Sequence, residues 1–223
     1  MQDKFPNLKG TIFIVTYGRS GSTLLQSLLQ SIPGAHITGE NHNLMETLFM
    51  ASERARKTRQ TWGKDLLPKD HPWYGADEIT PVRFERRLVQ NFVDEILHPP
   101  QDARWFGFKE IRYSALGDRF EAFLNFYQRN FPNPFFVFNS RNAEEVAKSA
   151  WWVDWPTEEV LEMVRSMDRR FAEFATANPS VSHHVFYEET VRDPATLQPL
   201  FDKLGEPFDP SAAQAKLATR LTH

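Results

Sequence analysis

Residues 11–23 read Thr-Ile-Phe-Ile-Val-Thr-Tyr-Gly-Arg-Ser-Gly-Ser-Thr, an apolar run that leads directly into a loop of small residues with two glycines and one arginine. The apolar run predicts a strand over 11–16. Beyond the loop, leucines at 24, 25, 28 and 29 share one face and predict a helix over 21–32. Such a helix directs free N–H groups and the positive end of its dipole at the loop. The stretch therefore predicts a binding site for an anion, and a phosphate is the first candidate.

This loop differs from the P-loop of nucleotide-hydrolysing proteins at one position. The P-loop motif, G-x-x-x-x-G-K-[ST], has a lysine before a hydroxyl residue, where it reaches the nucleotide phosphates. Here Gly18-Arg19-Ser20-Gly21-Ser22-Thr23 has no such lysine. Arg19 instead offers forked donors that stay charged at any working pH. An ordinary strand-to-helix turn is the alternative, but the residues favour a phosphate-bearing ligand other than ATP.

The composition of the 223-residue chain narrows the classes of function. With 41% hydrophobic and 13% aromatic residues the chain can fill one α/β core, and we expect a single domain over residues 1–223. The net charge of -3 disfavours nucleic acid as a partner. There are no cysteines for disulfides, no apolar leader and no run of about 18 apolar residues. We therefore expect a cytoplasmic protein without a membrane span.

Further strands and helices alternate along the chain. Apolar runs predict strands over 104–109, 135–138 and 183–187. Helical spacing of apolar residues, with proline and glycine stops, predicts helices over 43–60, 82–97, 118–130, 157–177 and 194–204, and Asn142 is the expected N-cap of one more helix. This alternation is typical of an α/β fold in three layers, a central parallel sheet flanked by helices. The irregular aromatic segment 61–81 has the length of a binding loop or lid.

A second candidate anion site follows the apolar strand 135–138, which we expect at the centre of the sheet. Arg141 leaves the end of this strand, at the edge where open α/β sheets bind ligands. Ser149 comes eight residues later, about two turns along the helix capped by Asn142, and can face the same side. The alternative is a surface ion pair for Arg141 and a neutral helix position for Ser149. Taken with the first loop, the two residues predict a ligand that carries phosphates at two places.

These motifs resemble those of the sulfotransferases that use 3'-phosphoadenosine 5'-phosphosulfate (PAPS). A third stretch is similar as well: Val-Phe-Tyr-Glu-Glu-Thr-Val-Arg-Asp-Pro at 185–194, followed by Leu-Gly-Glu-Pro-Phe at 204–208. The resemblance spans about residues 11–208 and implies a P-loop-like fold. It also implies transfer of a sulfuryl group from PAPS to a hydroxyl acceptor, with adenosine 3',5'-bisphosphate (PAP) as the product. The arginine at position 19 is similar to that of the tyrosylprotein branch and of many bacterial members.

The resemblance further implies which residues bind the donor. The 5'-phosphosulfate is expected at the loop residues Tyr17, Gly18, Arg19, Ser20, Gly21, Ser22 and Thr23. The 3'-phosphate is expected at Arg141 and Ser149. Tyr187 is expected to pack near the nucleotide, with a place in the core as its alternative.

Four residues are implied in catalysis. In-line displacement at sulfur leaves negative charge on the bridging oxygen, which a nearby cation stabilises. Arg19 is the first candidate for this cation, and Lys109, at the end of a predicted strand, matches a lysine that reaches the transferring group in this branch. Glu40 is the favoured general base, with a structural pairing to Arg19 or Lys109 as its alternative. His42 is the second candidate for the base and Glu110 a weaker one, and no metal is implied.

Two other functions and the identity of the acceptor remain open at this level. A P-loop kinase needs the missing lysine and an aspartate after a hydrophobic strand, whereas 135–138 is followed by Asn139-Ser140-Arg141. A non-catalytic nucleotide-binding module would keep the same fold without the chemistry. The partner is expected to be a carbohydrate, a lipid or a small-molecule alcohol or phenol, and the oligomeric state is open. Plain packing is the alternative for six aromatic residues that are candidates for lining an acceptor cleft: Trp62, Trp73, Tyr74, Trp151, Trp152 and Trp155.

Overall fold

The computed structural model describes residues 1 and 3–218. The strands in these ranges are β1 Gly10–Val15, β2 Ala35–Thr38, β3 Trp105–Glu110, β4 Pro134–Ser140 and β5 Ser182–Phe186. The helices are α1 Ser22–Leu29, α2 Leu44–Trp62, α3 Pro81–Phe92, α4 Phe120–Asn130, α5 Ala143–Ala147, α6 Thr157–Ala177, α7 Tyr187–Arg192, α8 Gln198–Leu204 and α9 Pro210–Ala218. Short 3-10 turns cover Ala76–Glu78, Tyr113–Arg119, Ala150–Asp154 and Pro194–Leu197. The predicted domain end at residue 223 lies outside the described residues.

The strands form one parallel sheet in the order β2-β3-β1-β4-β5. The central strand is β1 and not β4, which the sequence analysis expected at the centre; β4 lies next to the edge strand β5. Phe13 of β1 lies opposite Phe108 of β3 on one side and Phe136 of β4 on the other. After β1 the chain first builds β2 and β3 on one side and then crosses to β4 on the other. The strand order therefore reverses at the carboxyl end of β1, which is where open α/β sheets bind ligands.

Both faces of the sheet are covered by helices. Alternate residues of β1 point to opposite faces. Phe13 and Val15 belong to an aromatic cluster with residues of α2, α3, α4 and α6, whereas Ile12 and Ile14 belong to a smaller cluster with α1, α8 and α9. All six residues of β1 are buried as a result. The predicted three-layer α/β fold with a central parallel sheet is confirmed.

Two elements on the β2 side of the sheet differ from the prediction. Residues 35–38 form β2, which shows no strand pattern in the sequence because only Ile37 among its four residues is buried. The predicted helix 82–97 is a regular α-helix only to Phe92, and its last turn, Val93–Leu97, is a π turn. Apolar spacing indicates that a segment is helical, but it does not distinguish these two kinds of turn.

Two helices that follow β4 and β5 are shorter than predicted. The Asn142 side chain caps α5 as predicted and accepts two backbone N–H groups of its first turn. However, α5 ends at Ala147, so Ser149 lies beyond the helix in extended backbone rather than within it. The predicted helix 194–204 is divided into a 3-10 turn and α8, because Pro199 has no N–H group for the hydrogen bond that would join them.

Candidate functional site

The loop between β1 and α1 is the first part of the candidate site. Arg19 and Gly21 have positive φ angles of 68° and 79°, which turn the backbone sharply between the strand and the helix. α1 begins at Ser22, so the N–H groups of Ser22 and Thr23 have no partner within the helix, whereas the N–H group of Leu24 donates to the Gly21 carbonyl oxygen at 3.0 Å. Ser22 is buried and Thr23 is half-buried in this turn. The free N–H groups and the positive end of the helix dipole support the predicted anion site at 18–23.

Aromatic side chains lie directly against the two glycines of this loop. A Cβ atom at Gly18 would lie 2.8 Å from Trp151 Cζ2, and Trp152 Nε1 donates a hydrogen bond to the Gly18 carbonyl oxygen at 3.1 Å. A Cβ atom at Gly21 would overlap the ring of Tyr187. The sequence predicts Tyr187 at the end of a strand, but in the structure Tyr187 begins α7. Because the rings lie this close to the backbone, positions 18 and 21 have room only for glycine.

Hydrogen bonds beneath the loop connect it to β4. Thr16 Oγ1 donates to the Asn139 carbonyl oxygen at 2.6 Å and lies 2.7 Å from Ser20 Oγ. Asn139 Nδ2 donates to the Ser20 carbonyl oxygen at 2.8 Å. All three residues are buried. Because the Ser20 hydroxyl is engaged within the protein, the backbone of Ser20 is what remains for contact with a ligand.

Tyr17 directs its side chain behind the loop. The ring is buried, and its hydroxyl oxygen lies 2.8 Å from the Arg141 backbone nitrogen and 3.0 Å from Asp168 Oδ1. Burial and the Asp168 charge raise the pKa of Tyr17 well above its usual value, so the hydroxyl stays protonated. The sequence predicts that Tyr17 helps to bind the sulfuryl donor. In the structure Tyr17 is placed to contact a ligand only through its backbone.

The two predicted phosphate sites meet at Arg19. Arg19 Nε donates to Ser149 Oγ at 3.0 Å, and Arg141 Nη1 donates to the Arg19 carbonyl oxygen at 2.9 Å. The Arg141 guanidinium lies 4.8 Å from the centre of the Tyr187 ring, a cation-π contact. Its Nε atom is buried and has no hydrogen-bond partner among the described residues. Since a buried N–H group without a partner is costly, this atom is suited to an incoming anion.

Lys109, the cation predicted at the end of β3, is paired with Glu40. Lys109 Nζ and Glu40 Oε1 are 2.6 Å apart, and the lysine side chain is only 7% exposed. Arg112 Nη1 reaches the other oxygen of Glu40 at 3.0 Å. The structural pairing that the sequence left open for Glu40 is therefore present, with Lys109 and Arg112 as the partners.

The two cations keep Glu40 ionised. Partial burial acts to raise the pKa of Glu40, but hydrogen bonds from Lys109 and Arg112, together with their charges, outweigh burial and lower the pKa below its usual value. At neutral pH the side chain is therefore a carboxylate, which is the form that a general base requires.

Glu110 is buried and serves the structure around Glu40. Its Oε2 atom accepts the Asn43 N–H at 2.7 Å, and its Oε1 atom accepts the Ile111 N–H at 2.8 Å and pairs with Arg112 Nη1 at 2.7 Å. These contacts hold the segment between β2 and α2 against the end of β3. They explain Glu110 as a support of the Glu40 segment better than as a general base.

His42 is exposed on the same segment, and its backbone is unusual. Its side chain has no hydrogen-bond or ion-pair partner within the described ranges, and its φ angle is 60°. Six non-glycine residues of the described chain have positive φ, and four of them belong to the segments that form this site: Arg19, His42, Asn43 and Ala150. Such backbone conformations are unfavourable and concentrate at functional sites.

A family comparison covers all of these residues. A profile of the sulfotransferase family matches residues 11–210. The chain belongs to the sulfotransferase family. The family predicted from the phosphate loop, from Arg141 and Ser149 and from the stretch 185–208 is therefore confirmed.

Solved structures similar to this family member include two sulfotransferase domains. The sulfotransferase domain from the curacin biosynthetic pathway is 21% identical, with a TM-score of 0.57 over 94% of this chain and 77% of that one. The sulfotransferase domain of the Synechococcus PCC 7002 olefin synthase is 22% identical, with a TM-score of 0.59 and the same 94% and 77% coverage. Both likenesses support the α/β fold. A comparison of the sequence with curated proteins finds no match.

Residues 1 and 3–218 of this sulfotransferase-family chain lack two features. No helix in these ranges combines the length and the apolar character that crossing a membrane requires. No group of three or more histidine, cysteine, aspartate or glutamate side chains in the same ranges is placed to hold a metal ion. That the reaction needs no metal stays a prediction.

The aromatic candidates for the acceptor cleft separate into two groups. Trp151, Trp152 and Trp155 lie on or next to the 3-10 turn after Ser149, and the Trp151 ring is centred 5.6 Å from the Arg19 guanidinium. The other group lies at the far end of α2, which has 19 residues and is about 28 Å long. There Trp62 and Trp73 stack on each other with ring centres 5.5 Å apart. Segment 61–81 follows this end of α2, and its role as a binding loop or lid stays a prediction.

Two residues that the sequence analysis missed belong to the surroundings of this site. Arg112 follows the end of β3, and it carries the same signal as Lys109, a cation at the carboxyl edge of the sheet. Asp168 lies on α6 between Val164 and Phe171, which are buried on one face of the helix. An acidic residue within an apolar helical face was the signal for Asp168.

Proposed function

We propose that the protein transfers a sulfuryl group from PAPS to a hydroxyl group of a small-molecule or carbohydrate acceptor. The observation that carries this proposal is the connection of both anion sites through Arg19. Its side chain contacts Ser149, and its carbonyl oxygen accepts a hydrogen bond from Arg141. Two anion sites joined at one sheet edge suit a donor with phosphate groups at its 3' and 5' positions.

The side chains present suit this donor. The backbone of the loop and Arg19 offer N–H donors and positive charge to a phosphosulfate. Arg141, with its buried Nε atom free of partners among the described residues, and Ser149 offer donors to a second phosphate. Tyr187 forms an apolar wall between Gly21 and Arg141. PAPS supplies the activated sulfuryl group and, as PAP, the leaving group.

Two cations are candidates for stabilising the negative charge that the leaving oxygen gains. Arg19 lies in the phosphate loop itself, and Lys109 lies at the end of the neighbouring strand β3. The Lys109 side chain is 7% exposed, so solvent screens its charge less than that of a surface lysine. We assign these two residues to electrostatic stabilisation of the transition state.

Glu40 is the residue we assign as general base. It is ionised, and it accepts a hydrogen bond from Lys109 at 2.6 Å, so it lies beside one of the two cations assigned above. In this role the carboxylate accepts the proton that the acceptor hydroxyl loses as it attacks sulfur. His42, exposed two residues away, is the second candidate.

The acceptor is expected to have a flat apolar face next to its hydroxyl group. Trp151 and Trp155 are 47% and 53% exposed, and Val153 between them is 61% exposed. Trp151 also lies against Arg19. Exposed rings next to a charged site suit an aryl alcohol or one face of a sugar ring.

Ligand binding tests the donor without knowledge of the acceptor. PAP at about 100 times its Kd should add about 2.7 kcal/mol to the free energy of unfolding and raise Tm, whereas ATP with magnesium should not. Transfer of labelled sulfate from PAPS to a panel of phenols, alcohols and sugars then tests for catalysis. Stabilisation by ATP with magnesium and not by PAP would favour a kinase. Binding of PAP without transfer to any acceptor would favour a non-catalytic module.

Arg141→Ala is expected to weaken PAP binding about ten- to hundredfold, which corresponds to the loss of one charge-assisted contact. Isothermal titration calorimetry measures the affinity. Arg165→Ala, which removes an exposed arginine of α6, is the matched control and should bind PAP like the wild-type protein. Unchanged affinity in Arg141→Ala would contradict the assignment of this residue to the 3'-phosphate.

A further inference from the structure

Behind the phosphate loop, the hydroxyl of Tyr17 connects the two anion sites. Its oxygen accepts the Arg141 backbone N–H at 2.8 Å, and it lies 3.0 Å from Asp168 Oδ1 and 3.1 Å from the Arg141 carbonyl oxygen. The hydroxyl has one hydrogen to donate, and a carboxylate is the stronger acceptor. Tyr17 thus accepts from Arg141 and donates to Asp168.

Asp168 also receives the residue that precedes Arg141. Ser140 Oγ donates to the same Oδ1 atom that Tyr17 contacts, and His184 Nε2 lies 2.7 Å from Ser140 Oγ. Burial, with the charge of His183, lowers the pKa of His184 to about 4, so this ring is neutral at pH 7. One carboxylate oxygen therefore holds both the end of β1, through Tyr17, and the end of β4, through Ser140.

The surroundings of Asp168 make a carboxylate at this position unfavourable for the stability of the fold. Burial raises the pKa of Asp168, and Glu188 adds a repulsive charge from α7. Within the described residues the carboxylate has no ion-pair partner, and it lies among the buried residues Val164 and Phe171 of α6. A partly buried carboxylate without a cation is unfavourable compared with an apolar residue of similar size. Its hydrogen bonds to the two loops are what the structure gains in return.

We propose that Asp168 and Tyr17 are positioning residues, which set the spacing between the phosphosulfate loop and Arg141. The inference rests on the proposed function, because the spacing matters for a ligand that bridges both sites. Neither side chain is placed to touch the donor: Tyr17 is buried behind the loop, and Asp168 lies behind Tyr17. Their effect is to hold the Arg141 backbone, and with it the guanidinium that contacts Arg19.

PAP affinity, measured by calorimetry in four variants whose folding is checked by circular dichroism, tests the positioning role. Tyr17→Phe and Asp168→Ala should weaken PAP binding about five- to a hundredfold, because the Arg141 N–H or the Tyr17 hydroxyl loses its partner. Asp168→Asn should recover part of the loss in Asp168→Ala, since its amide oxygen still accepts from Tyr17. Glu173→Gln, an exposed site on α6, is the matched control and should match the wild-type affinity.

Different results distinguish this inference from the proposed function. Wild-type affinity in Tyr17→Phe, or equal losses in Asp168→Ala and Asp168→Asn, would overturn the positioning role and leave the proposed function intact. A lower Tm with unchanged PAP affinity in these variants would assign the contacts to stability alone and would also overturn it. Failure of the wild-type protein to bind PAP would overturn the proposed function, and the inference with it.

Discussion

The two carboxylate oxygens of Glu40 contact two different cations. Lys109 Nζ lies 2.6 Å from Oε1, and Arg112 Nη1 lies 3.0 Å from Oε2. Because both contacts favour the ionised form, the base that we propose is ready at neutral pH but weaker than a free glutamate. A neutral residue at position 40 removes the proton acceptor without touching the phosphate loop, so catalysis and donor binding can be separated there.

Glu40→Gln is expected to lower kcat about 10²- to 10⁴-fold, the range that general base catalysis contributes. PAP affinity is not expected to fall, because the substitution removes a negative charge and no predicted phosphate contact. Turnover is measured with labelled PAPS and affinity by calorimetry. His42→Gln, on the same exposed segment, is the control and should keep its turnover. The opposite pattern in the two variants would transfer the role of the base to His42.

At the level of single residues, the sequence predicts candidate side chains for the site and, as one of two alternatives, the pairing of Glu40 with Lys109. It does not predict the second partner Arg112 or the contact of Arg19 with Ser149. Arg19 stands out because it follows an apolar strand, and Lys109 because it lies at the end of one; parallel strands end at a common edge. The contact of Lys109 with Glu40 depends on the pairing of β2 with β3, and β2 is too short and exposed to show a pattern in the sequence. Asp168 acts through Tyr17, a contact between distant segments that no local pattern reveals.

The strand β3 shows how closely the backbones of the central sheet approach each other. Gly107 lies in the middle of β3, opposite Ile12 of β1 and Ile37 of β2. A Cβ atom at Gly107 would overlap the Ile12 carbonyl group. Since this neighbour is backbone of the central strand, it cannot move aside without separating the two strands that carry Lys109 and the phosphate loop.

Gly107→Ala is expected to lower the free energy of unfolding by about 1–3 kcal/mol or more, since about 1–3 kcal/mol is the usual cost of overpacking a core. Urea unfolding measures this as a lower midpoint with an unchanged m-value. Gly39→Ala is the matched control, because a Cβ atom there meets nothing within 4 Å. It should change the free energy of unfolding by less than about 0.5 kcal/mol. Equal stability of the two variants would contradict the overlap at Gly107.

At the level of elements, the sequence predicts the strands that are buried on both faces better than the ends of the helices. β1, β3 and β4 consist largely of apolar residues, and their predicted and observed bounds differ by one or two residues. The end of α5 depends on tertiary contacts instead. Ser149 accepts from Arg19 and Trp152 donates to Gly18, so the chain leaves the helix to meet the phosphate loop.

At the scale of the whole molecule, the strand order brings the functional segments to one edge of the sheet. Alternating strands and helices predict a parallel sheet, but they do not predict that β1 lies between β3 and β4. That order places the phosphate loop between Lys109 on one side and Arg141 on the other. The strand order depends on contacts between segments that are far apart in the sequence. The buried carboxylate of Glu206 makes several of these contacts.

Glu206, which follows α8, ties the C-terminal part of the chain to the starts of β1 and β3. Its side chain is 1% exposed and pairs with Lys9 at 2.6 Å and with Arg104 at 2.8 Å. Trp105 Nε1 donates to the same carboxylate at 2.8 Å. Burial acts to raise the pKa of Glu206, but the contacts with Lys9, Trp105 and Arg104 outweigh it and lower the pKa below its usual value.

Protonation of Glu206 in acid is therefore expected to lower the free energy of unfolding. A carboxyl group with a lower pKa in the folded than in the unfolded state contributes stability that is complete above the unfolded pKa of about 4.3. That stability is lost as the pH falls through the folded pKa. Glu206→Gln should be less stable at pH 7 by about 1.5–3 kcal/mol, the value of hydrogen bonds to a charged group, and its stability should depend less on pH.

Urea unfolding of both proteins at a series of pH values from 7 to 3 measures the difference. The two free energies of unfolding should converge as the pH falls, because the protonated wild-type side chain then resembles the amide. Glu162→Gln removes a carboxylate that is 69% exposed and is the control, since its curve should follow that of the wild-type protein. A constant difference between wild type and Glu206→Gln over this range would mean that Glu206 is not held ionised by Lys9 and Arg104.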